Sequence, residues 1–290
     1  MHTVNVLGDG KFVVFDSSER HAERMRVDLT LAAGSAHRVQ RYDELLKRVA
    51  TLSFHNSRFR LLFRGQTNDY RIESHDGTGG RSVLFPSILR KSKASPKQRF
   101  ARLRQAERLL VDELPREDSL HLNLPLSRWA ILQHYEVCET PLLDVTHSLQ
   151  VALSFAFGDQ KNRPKDDAFL YVLAVPHLTG PVSVSIESMT QTIDLSQLCP
   201  PEALRPHFQS GSLLSDYPGR QELGQRRTTS SLVPDDFACR LLTKFHLVDL
   251  RKWKRQGFSQ IPTDLLFPNA SDRWYALTRE VKKALPPLSA

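Results

Sequence analysis

The sequence of 290 residues has few cysteines and no long apolar run. Its three cysteines, Cys138, Cys199 and Cys239, are odd in number and far apart, which argues against a disulfide framework and against a paired-cysteine metal site. No stretch approaches about 18 uncharged apolar residues, so the sequence predicts no membrane-spanning helix. The first residues also lack the basic-then-apolar order of a signal peptide, and we expect a cytoplasmic protein.

The common catalytic motifs are missing as well. The sequence contains no Gly-x-Ser-x-Gly elbow, no phosphate-binding Gly-x-x-x-x-Gly-Lys and no His-Glu-x-x-His. Gly8-Asp9-Gly10 precedes a strand pattern and not a helix, which favours a turn over a dinucleotide site. Nothing in the sequence supplies a base for Cys138, and we expect no metal ligands. A cysteine hydrolase or a metal hydrolase is therefore disfavoured.

Positive charge is in excess and is clustered. The chain has 40 Lys and Arg against 32 Asp and Glu, a net charge of +8. Residues 87–116 carry nine basic and three acidic side chains, and residues 240–256 carry six basic and one acidic. Clusters of this kind attract nucleic acid or a phosphorylated cofactor. They are also typical of solvated helix faces, and the sequence leaves both interpretations open.

The hydrophobic pattern predicts a single α+β domain with loop insertions. The predicted elements are a hairpin at 3–15, a strand at 59–63 that ends in Arg64-Gly65-Gln66, an apolar strand at 168–176, and helices at 42–53, 96–114, 126–135, 147–157 and within 262–285. Residues 196–218 are rich in Pro and Ser and predict a loop, whereas residues 240–248 suit either a strand or a short helix.

The helix at 96–114 has an apolar stripe and an opposite face that carries Lys97, Arg104 and Arg108. We predict that this wet face contacts nucleic acid, together with the Arg226-Arg227 pair further along the chain.

Two segments carry polar or charged residues that a purely structural role does not explain. Arg64 follows the buried run Leu61-Leu62-Phe63, at a rim where a guanidinium binds phosphate or carboxylate. An ion pair of Arg64 with Asp144 explains the same position equally well. In the second segment, Thr146 and Ser148 precede an apolar helix of small residues. Either side chain serves as a helix cap, although a helix start also presents free N–H groups to an anion.

These segments resemble the FRG domain. The run Phe63-Arg64-Gly65-Gln66-Thr67-Asn68 is similar to the motif that names the family, and Leu84-Phe85-Pro86-Ser87-Ile88-Leu89-Arg90 is similar to its next block. The stretch from Trp129 to Tyr135, followed by Leu142-Leu143-Asp144-x-Thr146-x-Ser148 and Ala152-Leu153-x-Phe155-Ala156, resembles its most distinctive part, and Leu265-Leu266-Phe267-Pro268 resembles its closing segment. The resemblance extends over roughly residues 50–285. It implies an FRG-like domain of residues 51–285, with residues 1–50 as an N-terminal hairpin and helix of that same domain.

The sequence departs from the family pattern at two places. After the His-Tyr pair the family has a Gly-x-Pro-Thr-Arg run, whereas this chain has the longer Glu136-Val137-Cys138-Glu139-Thr140-Pro141. The later Ala-Gln-x-Gly block is present only as Leu223-Gly224-Gln225-Arg226-Arg227.

The FRG arrangement is similar in turn to the ADP-ribosyltransferase superfamily, by analogy of fold. The resemblance implies a split central β-sheet flanked by helices, with NAD as co-substrate. It implies that Arg64 binds a phosphate or ribose hydroxyl and that the backbone of Gly65 binds the nicotinamide amide. The implied cofactor-binding residues are Phe63, Arg64, Gly65, Gln66, Tyr135, Asp144, Thr146 and Ser148, with Tyr135 stacking on nicotinamide. The implied catalytic residues are Arg64 and either Glu222 or Gln225.

The expected function is therefore transfer of ADP-ribose from NAD to nucleic acid, RNA in preference to DNA, by a toxin or phage-defence effector. The resemblance also implies an antitoxin or chaperone as protein partner, and no membrane. Two alternatives remain at this point: a non-catalytic module that binds nucleotide or nucleic acid, and an NAD hydrolase.

Overall fold

The structure is a computed structural model that describes residues 1–6, 10–15, 30–73, 80–114, 122–158, 166–217, 236–267 and 271–287. These residues form a mixed α/β structure, in which eight strands of mixed direction make up the main β-structure and helices flank them. Within the described ranges, no helix has the length and apolar character needed to cross a bilayer.

Twelve strands are described. They are β1 (His2–Val6), β2 (Gly10–Val14), β3 (His37–Val39), β4 (Phe59–Gln66), β5 (Arg71–Ile72), β6 (Arg81–Ser82), β7 (Leu143–Thr146), β8 (Asp167–Pro176), β9 (Val182–Ser185), β10 (Thr190–Asp194), β11 (Gly211–Asp216) and β12 (Leu241–Val248).

The described helices are α1 (Thr30–Ala33), α2 (Tyr42–His55), α3 (Pro96–Glu113), α4 (Pro125–His134), α5 (Leu149–Phe157), α6 (Leu195–Leu198), α7 (Leu204–Phe208), α8 (Leu250–Trp253), α9 (Thr263–Leu266) and α10 (Arg273–Ala284). Short 3₁₀ turns occupy Ser87–Leu89, Phe237–Arg240 and Lys254–Gln256.

The chain divides into two compact units that alternate along the sequence. The first comprises Met1–Leu84, Val145–His177 and Asp236–Thr263, and the second comprises Phe85–Asp144, Leu178–Asp235 and Asp264–Ala290. Residues 1–50 lie in the first unit. The domain boundaries 1–50 and 51–285 stay a prediction.

The first unit is built around the long strands β4, β8 and β12. Strand β8 pairs with β4 on one side and with β12 on the other, both antiparallel, and β3 joins β12 in parallel. Helix α5 packs on β4 and β8, because its small and apolar side chains fit closely against the sheet. Trp253 and Phe157 are fully buried in this core, with ring centroids 5.8 Å apart.

The second unit combines the antiparallel strands β9, β10 and β11 with helices α3, α4 and α10. Helix α3 packs against both α4 and α10. Its start is well determined by the sequence, since Ser95 and Gln98 form a reciprocal capping box and Pro96 occupies the first turn.

Most predicted elements are confirmed to within a few residues. The hairpin is β1 and β2, the apolar strand is β8, the predicted helices are α2, α3, α4 and α5, and residues 241–248 are strand β12. The tail holds α9 and α10. Lys97, Arg104 and Arg108 are exposed on α3, as its apolar periodicity predicts.

The prediction of a loop at 196–218 is wrong, because these residues contain α6, α7 and β11. The polar residues that suggested a loop have partners here. Asp194 caps α6, and the buried hydroxyl of Ser212 donates to the carbonyl of Ile193 on the neighbouring strand. Buried serines of this kind are compatible with a strand once their hydroxyls are hydrogen-bonded.

The two basic runs are less exposed than their composition suggests. Arg99 is 3% exposed, Arg240 is 5% exposed and Lys244 is 2% exposed. Burial lowers the pKa of Arg240 to about 10. Part of each basic run is therefore buried in the protein interior. The exposed basic side chains of the first run lie mainly between residues 90 and 108.

Candidate functional site

The end of β4 presents its side chains alternately to two faces. Phe63 is 7% exposed and packs with Ala152 and Ala156 of α5. Arg64 and Gln66 lie on the opposite face, since successive residues of a strand alternate. In the antiparallel register Arg64 is the partner of Tyr171. The sequence thus places the guanidinium on the sheet face away from α5.

Gly65 is required by the approach of α5 to the strand. A Cβ atom at this position would lie 1.8 Å from the backbone oxygen of Ala152 and 2.8 Å from the backbone nitrogen of Ala156. No side chain fits there without displacing the helix. The glycine of the motif therefore sets the distance between strand and helix, and its proposed contact with nicotinamide stays a prediction.

The segment of Thr146 and Ser148 lies beside this strand end. Thr146 is the register partner of Phe63, and its Oγ1 accepts a hydrogen bond from the backbone N–H of Ser148 at 3.0 Å. Ser148 caps α5, with its Oγ accepting from the N–H of Val151 at 3.2 Å. The structure thus brings two blocks of the FRG-like pattern together and gives Ser148 the helix-cap role.

A polar row crosses the sheet on the face of Arg64. Register places Arg64, Tyr171 and Lys244 side by side on β4, β8 and β12. The Tyr171 hydroxyl donates to Asp69 at 2.7 Å, and the Lys244 Nζ lies 3.9 Å from the same carboxylate. The Nζ also donates to the hydroxyl of Ser82 at 2.7 Å. This row and Asp69 were missed by the sequence analysis.

The charges of this row act on one another. Burial and the adjacent Asp69 carboxylate raise the pKa of Tyr171. Burial by itself acts to raise the pKa of Asp69, but hydrogen bonds from Ser82 and Tyr171 and the charge of Lys244 more than offset it, so the pKa is lowered. Asp69 is therefore an anion that holds the segment after the motif against the sheet.

Gln66 begins a second row on the same face, one step nearer the strand end. Its register partner is Phe169, whose ring stacks on His246 with centroids 4.7 Å apart and an interplanar angle of 5°. The Oε1 atom of Gln66 is buried and accepts no hydrogen bond from any residue that the structure describes. A buried acceptor without a donor is costly, which makes it a candidate ligand contact.

Asp144 belongs to a polar network of the second unit. The side-chain amide nitrogen of Gln133 donates to Asp144. The Oε1 atom of Gln133 accepts hydrogen bonds from the hydroxyl of Thr140 at 2.7 Å and from the hydroxyl of Ser87 at 3.2 Å. Ser87, Gln133 and Asp144 come from three different FRG-like blocks. The network thus joins residues of these three blocks within the second unit.

Tyr135 is 4% exposed, and its hydroxyl donates to Asp272 at 2.8 Å. Asp272 also caps α10 and accepts from the backbone N–H of Arg205. Burial, together with Asp272, raises the pKa of Tyr135. The structure thus gives the ring a place in the core of the second unit, and its stacking on nicotinamide stays a prediction.

Glu136 ends α4 in a left-handed conformation, with φ of 57°. The N–H of Val137 bonds to the carbonyl of Leu132, and that of Glu136 bonds to the carbonyl of Gln133, which together form a Schellman motif. Glycine is the usual residue at this position, and glycine is what the FRG pattern has there. The Glu136 carboxylate binds Arg205 at 2.8 Å. The helix end therefore has the left-handed conformation that glycine favours, although glutamate occupies the position.

The exposed cations Lys97, Arg104 and Arg108 lie on α3 of the second unit. Glu222, Gln225, Arg226 and Arg227 lie outside the residues that the structure describes, so their predicted roles stay predictions.

Comparison with known proteins yields one match. Residues 59–165 match the family model described as FRG domain. The match supports the FRG resemblance over this part of the chain, which contains β4, β7 and α5. No curated protein and no solved structure matches the chain.

Proposed function

We propose that this protein is an NAD-dependent ADP-ribosyltransferase that modifies nucleic acid, RNA in preference to DNA, and acts as a toxin or phage-defence effector controlled by an antitoxin or chaperone. One observation carries the proposal. The strand end with Arg64 and the helix start with Thr146 and Ser148 are adjacent, through the pairing of Phe63 with Thr146. The superfamily resemblance requires these two segments to meet.

The residues at the strand end suit a nucleotide. The Arg64 guanidinium offers a fork of donors to a phosphate or a ribose hydroxyl. Gln66 Oε1 is a buried acceptor for a hydroxyl or an amide N–H. Arg64 donates and Gln66 accepts, so the pair complements the mixed polarity of a phosphorylated ribose and an amide. Asp69 and Tyr171 hold the neighbouring segment in place through their hydrogen bond of 2.7 Å.

When bound, NAD supplies a glycosidic bond to nicotinamide whose cleavage gives the ribose oxocarbenium character, as in glycoside hydrolysis. The acceptor nitrogen or oxygen forms the new bond to ribose C1′, nicotinamide leaves as a neutral molecule with the electron pair of the broken bond, and the acceptor proton passes to a carboxylate or to solvent. Arg64 holds the phosphate side. Glu222 or Gln225 contacts the ribose 2′-hydroxyl and the acceptor. Preorganised charge supplies most of the rate.

The proposal is tested with labelled NAD and the purified chain, in the presence and absence of single-stranded RNA and DNA. Nicotinamide release and label on the polymer are measured separately. Arg64→Ala is expected to abolish both. Arg60→Ala is the matched control, because Arg60 lies four residues before Arg64 on the same face of β4 and outside the motif.

The outcomes separate the candidate activities. Label on RNA that is lost in Arg64→Ala and kept in Arg60→Ala supports the transferase. Nicotinamide release without label on any polymer supports an NAD hydrolase instead. If the folded wild type releases no nicotinamide under any condition, the chain is a binding module and the catalytic proposal is wrong.

A further inference from the structure

Six exposed basic side chains lie close together in the chain at the start of the second unit. They are Arg90, Lys91, Lys93, Lys97, Arg104 and Arg108, here named the 90–108 surface. Three of them precede α3, and three occupy its solvent face.

The 90–108 surface has no acidic partner of its own. Among the acids of α3, Glu107 is 15% exposed and is bound by Arg128 at 2.6 Å and by the indole of Trp129 at 3.0 Å, while Asp112 and Glu113 lie beyond Arg108 in the last turn of the helix. None of the six cations forms an ion pair with any residue that the structure describes. This cluster of positive charge attracts an anionic ligand.

The buried Arg99 holds the two parts of this surface together. Its Nη1 donates to the carbonyl of Arg90 at 2.9 Å and to the carbonyl of Ser87 at 3.2 Å. Arg99 itself is 3% exposed. The segment before α3 is thus fastened to the first turn of the helix, so the cations on both sides are preorganised and need not be ordered when a ligand binds.

The layout of the surface favours a linear polyanion. Lys97, Arg104 and Arg108 are seven and four residues apart on one helical stripe, which spans about 16 Å at 1.5 Å per residue. No aromatic side chain is exposed between residues 90 and 108, since Phe100 is 2% exposed. Without a stacking platform, the exposed charges of the surface favour contacts with phosphates over contacts with bases.

We propose that the 90–108 surface binds the phosphate backbone of the nucleic-acid acceptor without regard to base sequence. The proposal rests on the proposed function, which makes nucleic acid the acceptor, and extends the three predicted α3 contacts to a fixed six-cation surface. Because RNA and DNA share this backbone, the surface contributes affinity, and any choice between them is made elsewhere.

The test measures binding of fluorescent 20-nucleotide RNA and DNA single strands of the same sequence, without NAD, over a range of salt concentrations. Six phosphate contacts predict a slope of log K against log salt of about −4. The variant Lys97→Gln/Arg104→Gln/Arg108→Gln should lower this slope to about −2. The same variant should weaken binding about 100-fold at 0.1 M salt, because it removes three phosphate contacts and each contact contributes about 0.7 log units of affinity at this salt concentration.

A second variant and a control keep the result interpretable. Lys91→Gln/Lys93→Gln should weaken binding about 25-fold at the same salt, because it removes two contacts. The control Arg41→Gln/Lys47→Gln/Arg251→Gln removes three exposed cations that already face carboxylates, so it changes the net charge equally and should bind as the wild type does.

Equal loss in the control and in the α3 variant would overturn the proposal, because binding would then follow net charge alone. An unchanged salt slope in the α3 variant would also overturn it, as would binding to anionic lipid vesicles in preference to both polymers. Nicotinamide release without polymer should be unchanged in the Arg41→Gln/Lys47→Gln/Arg251→Gln control. A chain that binds RNA in this manner but never releases nicotinamide would leave this surface established and refute the proposed transferase.

Discussion

Replacing Gly65 by alanine tests the central geometric feature of the candidate site. The added Cβ would lie 1.8 Å from the backbone oxygen of Ala152, whereas such contacts are essentially never closer than 3.0 Å. The backbone of α5 must therefore retreat from β4 by at least 1.2 Å, the difference between these two distances. Unlike a flexible side chain, helix backbone cannot give locally, so the whole helix or the strand has to move.

The expected cost is about 3 kcal/mol or more, at the upper end of the range for overpacking. The smaller entropy of the unfolded alanine variant offsets about 0.4–1 kcal/mol of it. A net loss of about 2–3 kcal/mol should follow in a denaturant titration, observed through the fluorescence of Trp253, which packs near Phe157 of α5. Hydrogen exchange should increase in α5, since its contact with β4 is the one disturbed.

Gly211→Ala is the matched control, because Gly211 is also a strand residue outside the left-handed region. Its Cβ would lie 3.1 Å from side-chain atoms of His134 and Leu195, which yield more easily than backbone. We expect a loss below about 1 kcal/mol. If Gly65→Ala matched the wild type within about 0.5 kcal/mol, or if Gly211→Ala lost as much, the argument that Gly65 sets the position of α5 would be refuted.

Three further predictions concern a buried histidine, a left-handed helix end and a hydrogen bond of the polar row. Burial lowers the pKa of His134 from 6.5 to about 3, so the contribution of the neutral imidazole to stability is complete above pH 6.5 and is lost as the pH falls toward 3. Between pH 7 and pH 4.5, the free energy of unfolding of His134→Leu should therefore fall by about 3 kcal/mol less than that of the wild type. Parallel curves of stability against pH would contradict this. Glu136→Gly should be about 1 kcal/mol more stable than Glu136→Ala in denaturant titrations. Both variants lose the ion pair with Arg205, but only glycine adopts the left-handed backbone conformation without steric strain. Equal stability of the two variants would show that the φ of 57° carries no strain. Tyr171→Phe should cost about 1–2 kcal/mol by removing one of the hydrogen-bond donors of Asp69, and a double-mutant cycle with Asp69→Asn should show coupling, whereas additive losses would mean that the 2.7 Å hydrogen bond is not stabilising.

Local signals in the sequence were sufficient for most of the regular elements. The apolar period and Pro96 in the first turn predict α3, and the continuous apolar run predicts β8. The position of Arg64 at the end of a buried strand also follows from sequence, because it depends only on the run before it. These features depend on residues within a few positions of one another, and such short-range patterns can be recognised in a single sequence.

Other features depend on residues far apart in the chain, and the sequence analysis missed them. Lys244 looked like surface charge, yet it is buried because Asp69, Ser82 and the carbonyl of Ala32 surround it. The loop predicted at 196–218 proved to contain strand and helices, because its polar side chains find partners there.

The sequence by itself determined the main helices, the long strands and the FRG-like blocks, since periodicity, caps and residue order are local properties. Only the tertiary structure decided which blocks are in contact and which charges are buried. It also decided that Gly65 allows the close packing of α5 on β4, and that Glu136 occupies a position favoured by glycine at the end of α4. The physical reason is that burial, pairing and close backbone approach are properties of two segments at once, and neither segment encodes the other.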